Sequence, residues 1–118
     1  MNPDIRPHII ARLKQLVDAL AARDPAAFLR LLDGLENAWT EDYFYRQFDF
    51  ILSECGDTDT YDDSPSQPDI SAFDDGGGYL VEYTLSHGGR AGDWTLSLTV
   101  KTDGKTPPRF FLNDLHIM

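Results

Sequence analysis

With 118 residues, 42% of them apolar and 14 of them aromatic, the chain can bury the core of one domain, which excludes global disorder. A formal charge of −10 excludes nucleic acid and anionic membrane as partners, because their phosphates would be repelled; a basic protein, a cation or a neutral small molecule remain. The single cysteine, Cys55, suits a reducing compartment, and without an apolar leader in residues 1–7 or a run of membrane-spanning length the expected location is the cytoplasm.

Asp4 can cap a first helix over about residues 4–22, where Ile5, Ile9, Leu13, Leu16, Val17 and Leu20 recur at helical spacing. Arg6, Arg12, Lys14 and Asp18 fall mostly on its other face. Asp24 followed by Pro25 restarts a helix, with Phe28, Leu31, Leu32 and Leu35 as its apolar stripe and Gly34 set to fray or end it. The pair reads as a helical hairpin with a very short connection.

Thr40 caps a third helix over about residues 41–54, with Glu41 and Asp42 favourable to the dipole of its first turn. Phe44, Phe48, Ile51, Leu52 and Cys55 share one face, while Tyr43, Tyr45 and Phe50 lie around the others. That is more aromatic surface than one core stripe needs. Two accounts are open: a helix packed on both sides, or an exposed aromatic patch suited to an interface.

Gly56 stops this helix, and residues 56–69 have turn-forming composition, including Pro65 and Pro68. A loop of that length in a small domain is usually functional or mobile. Beyond it the period changes from helical to alternating. Residues 69–73 form a short strand, 74–78 a turn, and 79–86 an alternating strand. Gly88, Gly89 and Gly92 make the next connection. Residues 93–102 are the cleanest signal: Trp94, Leu96, Leu98 and Val100 on one face, Thr95, Ser97, Thr99 and Lys101 on the other. After a turn at 103–104 and 107–108, residues 109–118 form the last strand, with a bulge expected where Phe110, Phe111 and Leu112 break alternation.

Three helices followed by strands imply an α+β domain: a helical hairpin and a third helix packed on one face of a three- to four-stranded antiparallel meander. The single domain spans 1–118, with a helical half (1–55), an acidic loop (56–68) and a sheet (69–118). Leu96 and Leu98 are expected to be buried, and Thr95, Ser97 and Thr99 more exposed, on a wet face.

Charge is the chain's other organising feature. Residues 47–89 carry ten acids and no lysine or arginine, so they hold the whole net charge. Such a block makes a field on one side of a folded domain. A solvated face alone is met by mixed-sign surfaces, so use as a docking surface stands beside mere solvation. The candidate partner-binding residues are Asp57, Asp59, Asp62, Asp63, Asp69, Asp74 and Asp75, with Tyr61 as an aromatic anchor among them.

No pattern identifies a reaction. Counted from Asp57, a calcium loop would need glycine at Asp62 and glutamate at Pro68, so that motif fails. Asp114 and His116 project to one side of a strand, but neither His8 nor His87 joins them in sequence to build an acid/base site. Cys55 at a helix C-terminus faces the dipole end that disfavours thiolate. No phosphate loop, metal-ligand pair or nucleophile elbow is present, so no enzymatic activity and no cofactor are expected.

Residues 79–85 (YLVEYTL), 93–100 (DWTLSLTV) and 111–117 (FLNDLHI) resemble small bacterial domains of the toxin-immunity type, among them immunity proteins of contact-dependent growth inhibition. The resemblance covers roughly the last forty residues. It implies a cytoplasmic, non-enzymatic protein that neutralises one toxin domain by direct binding. Nuclease toxins are basic where they hold phosphates, which an acidic inhibitor can cover. The helix-first order also resembles nuclear-transport-factor-2-like domains, which would imply a small-molecule binding or isomerase-like pocket lined by Phe44, Phe48, Tyr83 and Trp94.

Overall fold

Helix α1 (Ile5–Ala21) buries Ile9, Leu13, Leu16, Val17 and Leu20, the stripe that its spacing predicts. Helix α2 (Pro25–Arg30) starts as expected, with the Asp24 carboxylate accepting the Ala27 N–H at 3.0 Å and proline at the first position. Helix α3 (Glu41–Cys55) is capped by the Thr40 hydroxyl, which accepts the Tyr43 N–H at 3.1 Å. The computed structural model describes residues 5–36, 39–55, 58–65, 67–102 and 107–117, without the side chains of Leu52, Glu54, Cys55, Asp93, His116 and Ile117. The expected cap Asp4, the helix stop Gly56, the acid Asp57 and the turn at 103–104 lie outside the described residues, as do the side chains of Cys55 and His116.

The domain is α+β, but its sheet is mixed rather than purely antiparallel. Strands β2 (Asp69–Ala72), β3 (Gly78–His87), β4 (Arg90–Lys101) and β5 (Arg109–Ile117) form the expected antiparallel meander. A fifth strand, β1 (Gly34–Leu35), runs parallel to β5 and completes the order β1-β5-β4-β3-β2. This corrects the placing of Gly34 and Leu35 in the second helix, which ends at Arg30. The physical reason is tertiary. Asp33 gives its N–H to the Phe110 carbonyl at 2.7 Å and accepts the Phe110 N–H on its carboxylate at 2.7 Å. Arg12 holds the preceding turn by donating to the Leu31 carbonyl, and its guanidinium lies 5.0 Å from the Phe110 ring centre.

The bulge falls slightly past the expected triplet: Leu98 pairs with Leu112 and Ser97 with Asp114, so Asn113 is the extra residue. Leu112 and Leu115 therefore both point into the core, at 0% and 1% exposure. One buried cluster takes side chains from all three helices and from β3, β4 and β5. The Cα radius of gyration, 13.7 Å, is that of a compact domain of this length. No described helix is long and apolar enough to cross a membrane.

Thr95, Ser97 and Thr99 depart from expectation. They are 5%, 2% and 8% exposed, not wet. They lie on β4, the middle strand, opposite the helix-packed face; longer neighbours in register stand on either side of Ser97 (Glu82 and Asp114) and of Thr99 (Leu80 and Phe111), while Thr95 pairs with Thr84 and His116. Short side chains between tall ones lose solvent even where no helix covers them.

Candidate partner-binding surface

The acidic loop is fastened along its length. Asp59 donates its N–H to the Ser86 carbonyl at 2.8 Å. Its carboxylate accepts the N–H groups of Gly88 and Gly89 at 3.2 and 2.7 Å. Those glycines turn β3 into β4 at φ 63° and 79°, a tight turn whose two N–H groups converge on an anion. Asp59 thus supplies that anion from within the chain.

The next residues dock on α1 and β3. Tyr61 gives its N–H to the Asp18 carboxylate at 3.0 Å, and its ring stacks on Tyr83 with centroids 5.1 Å apart. The buried Tyr83 hydroxyl accepts the Asp62 N–H at 3.2 Å and donates to the Asp62 carbonyl at 3.0 Å. The Asp62 carboxylate accepts the Ser64 N–H at 2.9 Å, a local turn. Burial, then the charge of Asp63 and the neighbouring Tyr83, push the Tyr61 phenol above its ordinary pKa, against an opposing pull from Arg6. Tyr61 is half-buried, and its packing is intramolecular.

Of the sequence candidates, Asp62, Asp63, Asp69, Asp74 and Asp75 are exposed, and Asp59 is half-buried. Asp63 is not alone in space: with Tyr61, Gln67 and Pro68 it lines a hollow of about 210 Å³ whose far wall is Arg6 and Ile10 of α1. A base distant in sequence therefore sits beside the acidic block.

Asp69 opens the edge strand β2, and Asp74 and Asp75 occupy the β2–β3 turn. That turn is held by bonds from Phe73 N–H to Gly78 O (2.9 Å), Gly76 N–H to Phe73 O (3.1 Å) and Gly77 N–H to the Asp75 carboxylate (2.8 Å). Phe73, 38% exposed, projects from this fixed tip between β2 and the two aspartates. Sequence reasoning places it only as the end of a short strand, although it shares the parity of Asp69 and Ser71, opposite the half-buried Ile70.

The account of α3 as packed on both sides does not hold for all its aromatics. Phe44 and Phe48 are buried, but Tyr43, Tyr45 and Phe50 are 44%, 38% and 47% exposed. Tyr43 leans on Trp39 at 4.6 Å and Phe50 meets Trp94 edge-on at 6.1 Å, so each is positioned by a neighbour while showing a face to solvent. Exposed Glu41, Asp42 and Asp49 share this helix.

The pocket residues of the alternative reading belong to the core. Phe44, Phe48, Tyr83 and Trp94 are 0%, 2%, 1% and 3% exposed and do not line the hollow beside Asp63. Asp114 accepts the N–H of Leu115 at 2.8 Å. Among the described residues no three His, Cys, Asp or Glu side chains could hold a metal ion. No protein-family model matches the chain, and no curated protein or solved structure is significantly similar to it.

Proposed function

We propose that this chain is a non-enzymatic binding protein of the immunity type, which neutralises a basic, nuclease-type toxin domain in the cytoplasm by covering it with an acidic and aromatic surface. The observation that carries this reading is the β2–β3 tip, where exposed Phe73 adjoins Asp74 and Asp75 on a turn fixed by three hydrogen bonds. A fixed aromatic loses little entropy on docking, and flanking carboxylates steer a cationic surface towards it. Asp62, Asp63 and Asp69 extend the charge, while Asp59 and Tyr61 hold the loop in shape.

The test is inhibition of a candidate basic nuclease domain of the toxin type. The wild type is expected to block DNA or RNA cleavage at stoichiometric concentration. Asp62→Asn, Asp63→Asn, Asp74→Asn and Asp75→Asn together should slow association roughly tenfold at low salt, and physiological salt should do the same to the wild type. Phe73→Ala should act on dissociation. A chain that neither binds nor inhibits the domain would end the immunity reading.

A further inference from the structure

Strand β2 ends one side of the sheet, and its outer edge carries unused backbone groups. The Phe73 N–H bonds to the Gly78 carbonyl at 2.9 Å, which makes Phe73 and Gly78 a hydrogen-bonded pair. In an antiparallel ladder such pairs alternate. Ser71 with Leu80 and Asp69 with Glu82 therefore bond in the same way, while Ile70 and Ala72 turn their N–H and C=O groups outward. Among the described residues no hydrogen bond meets those outward groups.

An open edge of this kind is a template for another strand. No proline or lysine within Asp69–Ala72 blunts it, and its register with β3 is unbroken. Its two sides differ. Asp69 and Ser71 stand exposed on the helix-free face, and exposed Phe73 continues their side. Ile70, in register with the buried Val81 and through it with Leu98, is half-buried and packs against the core. A strand laid along β2 meets a carboxylate and an aromatic ring on one side and the apolar margin of the core on the other.

We propose that the free edge of β2 takes an extended segment of the protein partner as a further strand, antiparallel to β2 and alternating basic with apolar residues. The inference rests on the reading of the chain as a binder of basic protein surfaces and names the backbone geometry that holds such a surface. Antiparallel pairing continues the β2–β3–β4–β5 ladder and is the more stable kind per residue. The basic side chains lie beside Asp69 on the helix-free face, with Glu82 behind it and exposed Asp74 and Asp75 past the end of the strand. The apolar ones lie beside Ile70 and Ala72 and extend the core outward. Charge decides against a second copy of this chain as occupant, because two such edges would bring like carboxylates together on bodies of charge −10 each.

The experiment is an NMR titration of the full chain with acetyl-Lys-Val-Lys-Val-Lys-Val-amide, with its glutamate counterpart, and with two N-methylated forms of the lysine peptide. Saturating lysine peptide should slow hydrogen exchange of the Ile70 and Ala72 amides about tenfold or more, and should bind about tenfold tighter than the glutamate peptide. In this register the valines sit opposite Ile70 and Ala72 and turn their N–H groups to β2. N-methylation of the valines should therefore weaken binding about tenfold, and N-methylation of the lysines less than about twofold. Ala72→Pro removes an outward N–H and no β2–β3 bond; it should weaken the lysine peptide about tenfold while Tm falls by less than roughly 3 °C. Equal loss in the two N-methylated peptides, binding that leaves Ile70 and Ala72 unprotected, or equally tight binding of the glutamate peptide would each overturn the proposal. So would protection of these two amides that rises with the concentration of the chain alone, which would give the edge to a second copy. Nuclease inhibition by the wild type is scored separately, so the edge can fail while the immunity reading stands, and the reverse.

Discussion

The ring of Tyr61 lies on the ring of Tyr83, with centroids 5.1 Å apart and planes within 25° of parallel. One is on the acidic loop and the other at the centre of β3, so this contact makes the loop part of the domain. Tyr61→Ala should cost about 2 kcal/mol in denaturant unfolding, from the lost stack and burial. Phe73→Ala, at an exposed tip, should change stability by less than about 0.5 kcal/mol. Equal losses in the two variants would mean that the loop is not held by this stack.

Asp59 and Asp63 make a sharper pair, because they differ in role and not in kind. Asp59→Ala removes the acceptor of two turn N–H groups and should destabilise by about 1–2 kcal/mol. Asp63→Ala should be neutral or slightly stabilising, since it relieves repulsion within the block. Hydrogen exchange of the Gly88 and Gly89 amides reads the difference directly: both should accelerate in Asp59→Ala alone.

Glycine at 78 is demanded by the packing of two backbones. A Cβ there would stand 2.0 Å from the Val100 carbonyl oxygen, so Gly78→Ala must push β3 from β4 and should cost about 3 kcal/mol or more. Gly76, at φ 75° with open space around it, should lose only about 1 kcal/mol on the same change. Thermal melts of the two variants rank the effects.

Acid should weaken the domain partly through Glu36. Burial works against its charge, but the Thr99 bond and Lys101, 3.0 Å away, outweigh it and hold the carboxyl below its ordinary pKa. A depressed folded-state value means that the charged form favours folding. The contribution is full above the unfolded value near pH 4.5 and is lost as pH falls through the folded value. Glu36→Gln should therefore lower Tm at pH 7 and converge on the wild type as pH falls through that folded value. Parallel Tm curves over that range would contradict the assignment.

Much of this fold is legible in local pattern. The stripes of α1 and α3, the caps Asp24 and Thr40 and the alternation of β4 depend on neighbours within a few residues, so the residues themselves announce them. The features that escape are those made by distant partners. Strand β1 is two residues long and exists because Asp33 and Phe110 exchange bonds. Asp59 looks like any other loop acid until the turn 30 residues away reaches it. Ser97 and Thr99 alternate as a wet face should, yet their exposure is set by the height of side chains on β3 and β5. Charge behaves likewise, for Arg6 enters the acidic region from the far end of the chain.

The Asp33–Phe110 exchange also dictates an order of events in time. It closes a loop of 77 residues, at an entropic cost of roughly 4 kcal/mol that no local contact offsets in advance. During synthesis α1 and α2 leave the ribosome with Ile9, Leu13, Leu16 and Phe28 facing no sheet, and about 4–15 s pass before β5 follows them. Hairpins β2–β3 and β3–β4 can form within that interval, because their strands are joined by tight turns. The helices can meet β3 and β4 in that interval, but the part of their apolar surface that β5 covers stays open until the last strand arrives.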